Sequence, residues 1–197
     1  FVSAEIFYTN NGNSRGSVIF VYDRNDLSAT PQIIEAPTTN RTYQVGAYFS
    51  HYFGWSMSVN GDTLFVGAKS WGTSNTGRIF TYDLNDLSAP PGQIVAPTSH
   101  SNTNLFFGES LFVNDDYIVV GSDPHQWNGS TNADGDGKVW VFDRTTFAQV
   151  AELFCPDPGF YYSSGAGSDE FAKRREQLTI INDKLVIGAD WVSNEAV

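Results

Sequence analysis

Glu109 and Glu176 stand two residues into two aligned stretches of the chain, FGESLFVNDDYIVVGS from Phe107 and RREQLTIINDKLVIGA from Arg174. Two carboxylates converging on one channel are the equipment of glycoside hydrolysis, one as acid and the other as nucleophile or base. A third aligned stretch, FGWSMSVNGDTLFVGA from Phe53, carries Trp55 at that place, so the acid is not constant and no catalytic residue is assigned. Asn132-Ala133-Asp134-Gly135-Asp136-Gly137 alternates acid and glycine as calcium loops do, with Asp123 and His125 upstream. It lacks the full D-x-[DN]-x-[DN]-G with a distant Glu, so Asp134 and Asp136 are kept as Ca2+ ligands against a plain Gly-rich turn, and no other cofactor is indicated. His51, His100 and His125 match no metal spacing, and no G-x-S-x-G, Walker or H-E-x-x-H sequence is present. The expectation is a protein without enzymatic chemistry.

The elements that carry these residues are periodic. Between Phe53 and Pro97 four short runs, FGWSMSV, TLFVGA, RIFTYD and GQIVA, are each bounded by Gly, Asn, Asp, Ser or Pro, as in an antiparallel meander of strands A to D. Asn60-Gly61 predicts a type I′ hairpin turn between A and B. The C strands close at Asp23, Asp83 and Asp143, 60 residues apart each time, while the A strands start at Phe53, Phe107 and Arg174. Strands hold and loops vary. Such a period, with four strands per copy, predicts an all-β chain: a β-propeller segment of four-stranded antiparallel blades. The division is 1–52 (strands C and D), 53–106, 107–173 and 174–197 (strands A and B). Phe1-Val2-Ser3-Ala4 matches Phe65-Val66-Gly67-Ala68, so residue 1 falls at the end of a B strand. About three blades' worth of strands is fewer than a ring needs, so the segment is expected to belong to a longer chain or to pair with a partner copy.

Aromatic residues recur on the C strands as Phe20 and Tyr22, Phe80 and Tyr82, and Trp140 and Phe142, a row suited to packing blade on blade. The B-strand runs LFV, IVV and LVI are apolar on both faces, as strands sandwiched between blades must be. The connectors DRNDLSATP and DLNDLSAPP read as turns whose Asp and Asn side chains bond nearby backbone, although Asp83, Asn85 and Asp86 also resemble oxygen ligands.

The chain has 197 residues, a net charge of −11 and a pI near 4.4, with no basic stripe to displace counterions from phosphates. Nucleic acid is therefore not an expected partner. Cys155 is alone, which leaves no disulfide framework. No apolar run approaches the ~20 residues that cross a bilayer, and FVSAEIFY has no basic n-region or cleavage site of a signal peptide.

Strand order sorts the loops. A–B and C–D turns are short and share one end, while the long, variable B–C and D–A connections share the other, where recognition usually sits. Trp71, Trp127 and Trp191 lie in B–C loops, and Tyr43, Tyr48, Tyr161 and Tyr162 in D–A loops, so these seven are the candidate ligand-binding residues. The competing reading is that the rings pin their own loops to the blades.

FGWS, VNGDTLFVGA and GRIFTYD resemble the FG-GAP repeat, the blade unit of the integrin α-subunit propeller and of many bacterial and phage surface proteins. Phe53-Gly54 and Phe107-Gly108 supply the FG element, and Val66-Gly67-Ala68, Val120-Gly121-Ser122 and Ile187-Gly188-Ala189 the GAP-like element. The resemblance implies a seven-bladed ring, usually extracellular, whose long-loop face binds partners such as a protein or glycan at a cell or virion surface. It departs in two places. The A–B links are too short for the family's calcium loop, and Arg174-Arg175 stands where FG is expected. Adhesion or structural display is the function implied, with a purely structural part in a filament or virion coat, or self-association, as the alternative.

Overall fold

The computed structural model describes residues 2–5, 17–37, 52–72, 75–97, 105–122, 137–154, 170–171 and 178–190. Strands β1 (Val2–Glu5), β2 (Val18–Val21) and β3 (Gln32–Glu35) form a three-stranded sheet. Two four-stranded antiparallel meanders follow: β4 (Phe53–Asn60), β5 (Thr63–Ala68), β6 (Arg78–Asp83) and β7 (Gly92–Val95), then β8 (Ser110–Val113), β9 (Tyr117–Ser122), β10 (Lys138–Asp143) and β11 (Gln149–Phe154). Last come β12 (Glu170–Phe171), β13 (Leu178–Ile181), β14 (Lys184–Ile187) and β15 (Ala189–Asp190), with β13 paired to β14 and β12 to β15. The chain is all-β and propeller-like, and the second and third sheets are its complete blades. In both, B and C strands share one register, Val66 opposite Phe80 and Val120 opposite Trp140. In the first sheet Val2 lies opposite Val21, one residue along from that pairing, and β1 is a strand in its own right.

Each pair of successive sheets buries its own core. Ile19 and Ile34 of the first sheet meet Phe53, Leu64, Val66, Phe80 and Tyr82 of the second. Phe65, Ile79 and Ile94, on the opposite face of the second sheet, meet Phe107, Leu111, Ile118 and Trp140 of the third. Val119, Val139 and Val141 then meet Leu178. Alternate residues of one strand therefore serve two cores, which is why the B strands carry no polar face. The C-strand aromatics Phe80, Tyr82, Trp140 and Phe142 lie in these inter-sheet cores, and within each blade Phe53 sits edge-on to Phe80 and Tyr82 at 5.8 and 6.2 Å between centroids, and Phe107 to Trp140 and Phe142 at 5.4 and 6.0 Å. Phe53 and Phe107 thus occupy equivalent places.

Close backbone approach explains Gly108, beside the Phe107 ring, and Gly67. Gly108 has φ +93°, and its carbonyl accepts a hydrogen bond from the buried Ser56 hydroxyl at 2.7 Å. A Cβ on Gly67 would stand 2.1 Å from Ser56 Oγ and 2.5 Å from the Gly108 carbonyl oxygen, so only glycine lets the two sheets meet there.

Two local readings change. The β4–β5 loop is Gly61-Asp62, between the paired Asn60 and Thr63, and only Gly61 has positive φ, at 56°. That is the type II′ pattern with glycine first, and Asn60 completes the strand. The type I′ pattern, positive φ at both residues, occurs at Asn182-Asp183, the same repeat place. In the fourth copy, Phe171 pairs with Ala189 as Phe53 pairs with Ala68. A gapless alignment had set Arg174 there; three extra residues between the start of the strand and Leu178 hid the match.

Candidate functional site

The long connections meet across the junction of the second and third sheets. After β5 the chain turns on a hydrogen bond from Trp71 N to the Ala68 carbonyl at 2.9 Å, and Gly77 N and Thr76 Oγ1 both donate to the Trp71 carbonyl at 2.9 and 3.1 Å. Phe106 N and Phe107 N then donate to the carbonyls of Asn75 and Thr76 at 2.9 and 3.1 Å. A B–C loop of one sheet is thereby zipped to the D–A connection of the next. The A strands of the second and third sheets both start in a tight turn, with Tyr52 and Phe106 at φ 49° and 52°, a conformation that bulky residues hold only when surrounding contacts fix it.

These turns bring four side chains together. Lys69, just past β5, places Nζ 2.9 Å from Oε2 and 3.1 Å from Oε1 of Glu109. The Trp55 indole N–H donates to Oε1 of Glu109 at 2.7 Å. Lys69 Nζ also lies 3.5 Å from the Trp55 ring centroid and 5.0 Å from that of Tyr52, and the two rings meet at 81° with centroids 5.2 Å apart. The Glu109 and Lys69 side chains are 7% and 15% exposed, so the pair is held in a low-dielectric setting where attraction and desolvation are both large. Glu109, weighed above as an acid of a catalytic pair, is here an acceptor for an ammonium and an indole. Glu176, the other acid of that pair, lies outside the described residues, and with Phe171 at the place of Phe53 it no longer aligns with Glu109.

Of the seven candidate ligand-binding residues the structure describes one. Trp71 is 6% exposed and packs edge-on to Phe80 at 4.8 Å, so it belongs to the core and pins its loop, the alternative weighed for it. Tyr43, Tyr48, Trp127, Tyr161, Tyr162 and Trp191 lie outside the described residues, as do Asp134, Asp136 and Cys155. Among the described residues no three His, Cys, Asp or Glu side chains gather as a metal site would need. No helix among them is long and apolar enough to cross a membrane. Lys69 was missed in the sequence; its signal was a reversal of sign, because Asp123 and Asp190 stand at the same place in the later copies.

The short-turn end is organised differently. Asp23 Oδ1 and Asp83 Oδ1 accept from the amides of Asn25 and Asn85 at 2.8 and 2.9 Å, and Asp26 and Asp86 from both amide and hydroxyl of Ser28 and Ser88. In the third copy Asp143 takes the amides of Thr145 and Thr146 and the Thr146 hydroxyl. The connector is a chain of Asx turns, and its carboxylates are used in building it. Hydrogen bonds from Ser28 and Ser88 side chains, then amides, hold Asp26 and Asp86 below the usual carboxylate pKa, and the Thr146 amide and hydroxyl do so for Asp143. A cleft of about 570 Å³ opens at this end between the first and second sheets, lined by Val21, Arg24, Met57, Val59, Leu64 and Leu84 among others.

No family model, curated protein or solved structure matches the chain.

Proposed function

We propose that the chain is an FG-GAP-type propeller segment that works without chemistry of its own, as an adhesion or display module on a cell or virion surface, reading a protein or glycan with its long-loop end. The observation that carries this is the zipper from Asn75 and Thr76 to Phe106 and Phe107, which joins long connections of successive sheets into one surface on a rigid support. Phe107-Gly108 and Gly67, the FG and GAP-like elements of the resemblance, are the residues that make that junction close.

The test replaces residues 157–169 with a short Gly-Ser linker, stopping before β12 so that the Phe171 pairing survives. Binding of the native chain to a glycan panel and to immobilised surface proteins is expected to be lost in the replacement at unchanged melting temperature. Binding that persists places the site elsewhere. A second reading, a structural part of a filament or coat, is favoured by the outer D strands, where Ile33, Val95, Val150 and Phe154 are each more than half exposed on sheet edges. Exposed apolar edges template pairing with further chains. Sedimentation of the native chain separates the two: concentration-dependent oligomers favour the structural part, and a monomer favours recognition.

A further inference from the structure

The Tyr52, Trp55, Lys69 and Glu109 cluster differs from the Phe, Gly and C-strand aromatic packing at the sheet junctions in one respect: it does not repeat. Phe53 and Phe107, the glycines beside them and the C-strand aromatics recur from copy to copy, as parts that hold blades together should. Trp55 is replaced by Glu109 in the next copy, Lys69 by Asp123 and Asp190, and Tyr52 by Phe106 in the next. A clamp required by the fold would recur at each junction. This one is built at the junction of the second and third sheets.

Its geometry is that of a cation cage. Two aromatic rings at 81° form adjoining walls, Glu109 supplies the counter-charge, and the cation inside is the ammonium of Lys69, 3.5 Å from one ring centroid and 2.9 Å from the carboxylate. Aromatic walls with an acid hold methylated ammonium groups well, because a quaternary nitrogen has no N–H to satisfy and spreads its charge over methyls that rest on ring faces. A primary ammonium is more strongly hydrated and fits such walls less well. The Lys69 side chain retains 15% exposure, so the cage opens toward solvent at the long-loop end, and four methylenes tether its occupant.

We propose that Tyr52, Trp55 and Glu109 form a binding site for a quaternary ammonium group, with Lys69 as the resident occupant that the incoming group displaces. The inference deepens the recognition reading by naming the chemistry one part of that end would take, and it rests on that reading only for where the ammonium group comes from. A tethered competitor lowers apparent affinity by the fraction of time it leaves the cage. Removing it should therefore tighten binding.

The experiment titrates the native chain, Lys69→Ala and Lys69→Ala/Trp55→Leu with tetramethylammonium chloride, using sodium chloride at equal ionic strength as the control. Nuclear magnetic resonance follows the Trp55 indole N–H and, in the native chain, the Lys69 ε-methylene, which the Trp55 ring shifts upfield. The expected result is saturable binding by Lys69→Ala at least about tenfold tighter than by the native chain, and its loss in the double variant. In the native chain tetramethylammonium, but not sodium, should move the Lys69 methylene toward the position of an exposed lysine. Absence of saturable binding by folded Lys69→Ala overturns the proposal, as does binding that survives Trp55→Leu. If Lys69→Ala does not fold, the native titration decides, and an unmoved Lys69 signal overturns it. The assay uses no surface partner, so loss of capture after loop replacement with tetramethylammonium binding intact would sink the recognition reading alone.

Discussion

At the scale of single residues, the repeat itself supplies controls. Tyr82 is buried against Phe53, its hydroxyl has no hydrogen-bond partner among the described residues, and burial pushes the phenol well above its usual pKa. The next copy has Phe142 at that place, against Phe107. An unsatisfied buried hydroxyl costs about 1–3 kcal/mol, so Tyr82→Phe is expected to stabilise the chain, by roughly 1 kcal/mol after the small loss of packing, read as a higher denaturation midpoint in urea. Glycines give the opposite contrast. Gly67→Ala sets a methyl against the Gly108 backbone, which has no rotamer to yield, and should destabilise by roughly 3 kcal/mol. Gly61→Ala meets nothing within 4 Å and bears only the left-handed φ, which costs about 1–2 kcal/mol. Equal losses at the two sites would show that the sheet junction is looser than the Gly67–Gly108 approach requires.

At the scale of elements, the connectors between C and D strands contribute to the acid limb of stability. Asp26, Asp86 and Asp143 all have folded-state pKa values below the ordinary 3.8, so near and below that value the unfolded chain binds more protons than the folded one. Their contribution is complete above the ordinary carboxylate range and is lost as pH falls through the depressed values. Asn at all three positions keeps an Oδ1 acceptor but cannot titrate, so the triple variant should be less stable than the native chain near neutrality, lose stability less steeply from pH 5 toward 2, and approach the native chain at the acid end, followed by urea midpoints. These connectors were legible in the sequence because Asp and Asn cap amides two residues on, an interaction that needs no tertiary partner. The strands were legible for a related reason: period-2 runs and turn residues place β4 to β7 within a residue of their bounds. What could not be read depends on partners far along the chain. Lys69 meets Glu109 only after two sheets have stacked, Trp71 is core only because Phe80 lies under it, and Phe171 is recognised by the strand opposite it rather than by its neighbours. The Gly61-Asp62 turn was missed by one residue, since Asn60 and Gly61 both tolerate positive φ and only the register with Thr63 decides which two residues turn.

At the scale of the molecule, the described residues contain three separate cores, one at each contact between successive sheets. Stability of such an array is closer to a sum of nearest-neighbour terms than to one indivisible transition. Phe107 is fully buried between the second and third sheets, and truncating a ring of this kind costs about 3–5 kcal/mol. Phe107→Ala is therefore expected to lower hydrogen-exchange protection at amides of β8, β9 and β10, while β2 and β3, which pack only through the core containing Phe53, keep theirs. Phe53→Ala should reverse the pattern, exposing β2 and β3 and sparing β9 and β10. The second sheet belongs to both cores, so β5 and β6 should lose part of their protection in either variant. Uniform loss across all strands in both variants would mean that the sheets unfold as one unit, and a recognition surface zipped across the second junction could not then be loosened without unfolding the first.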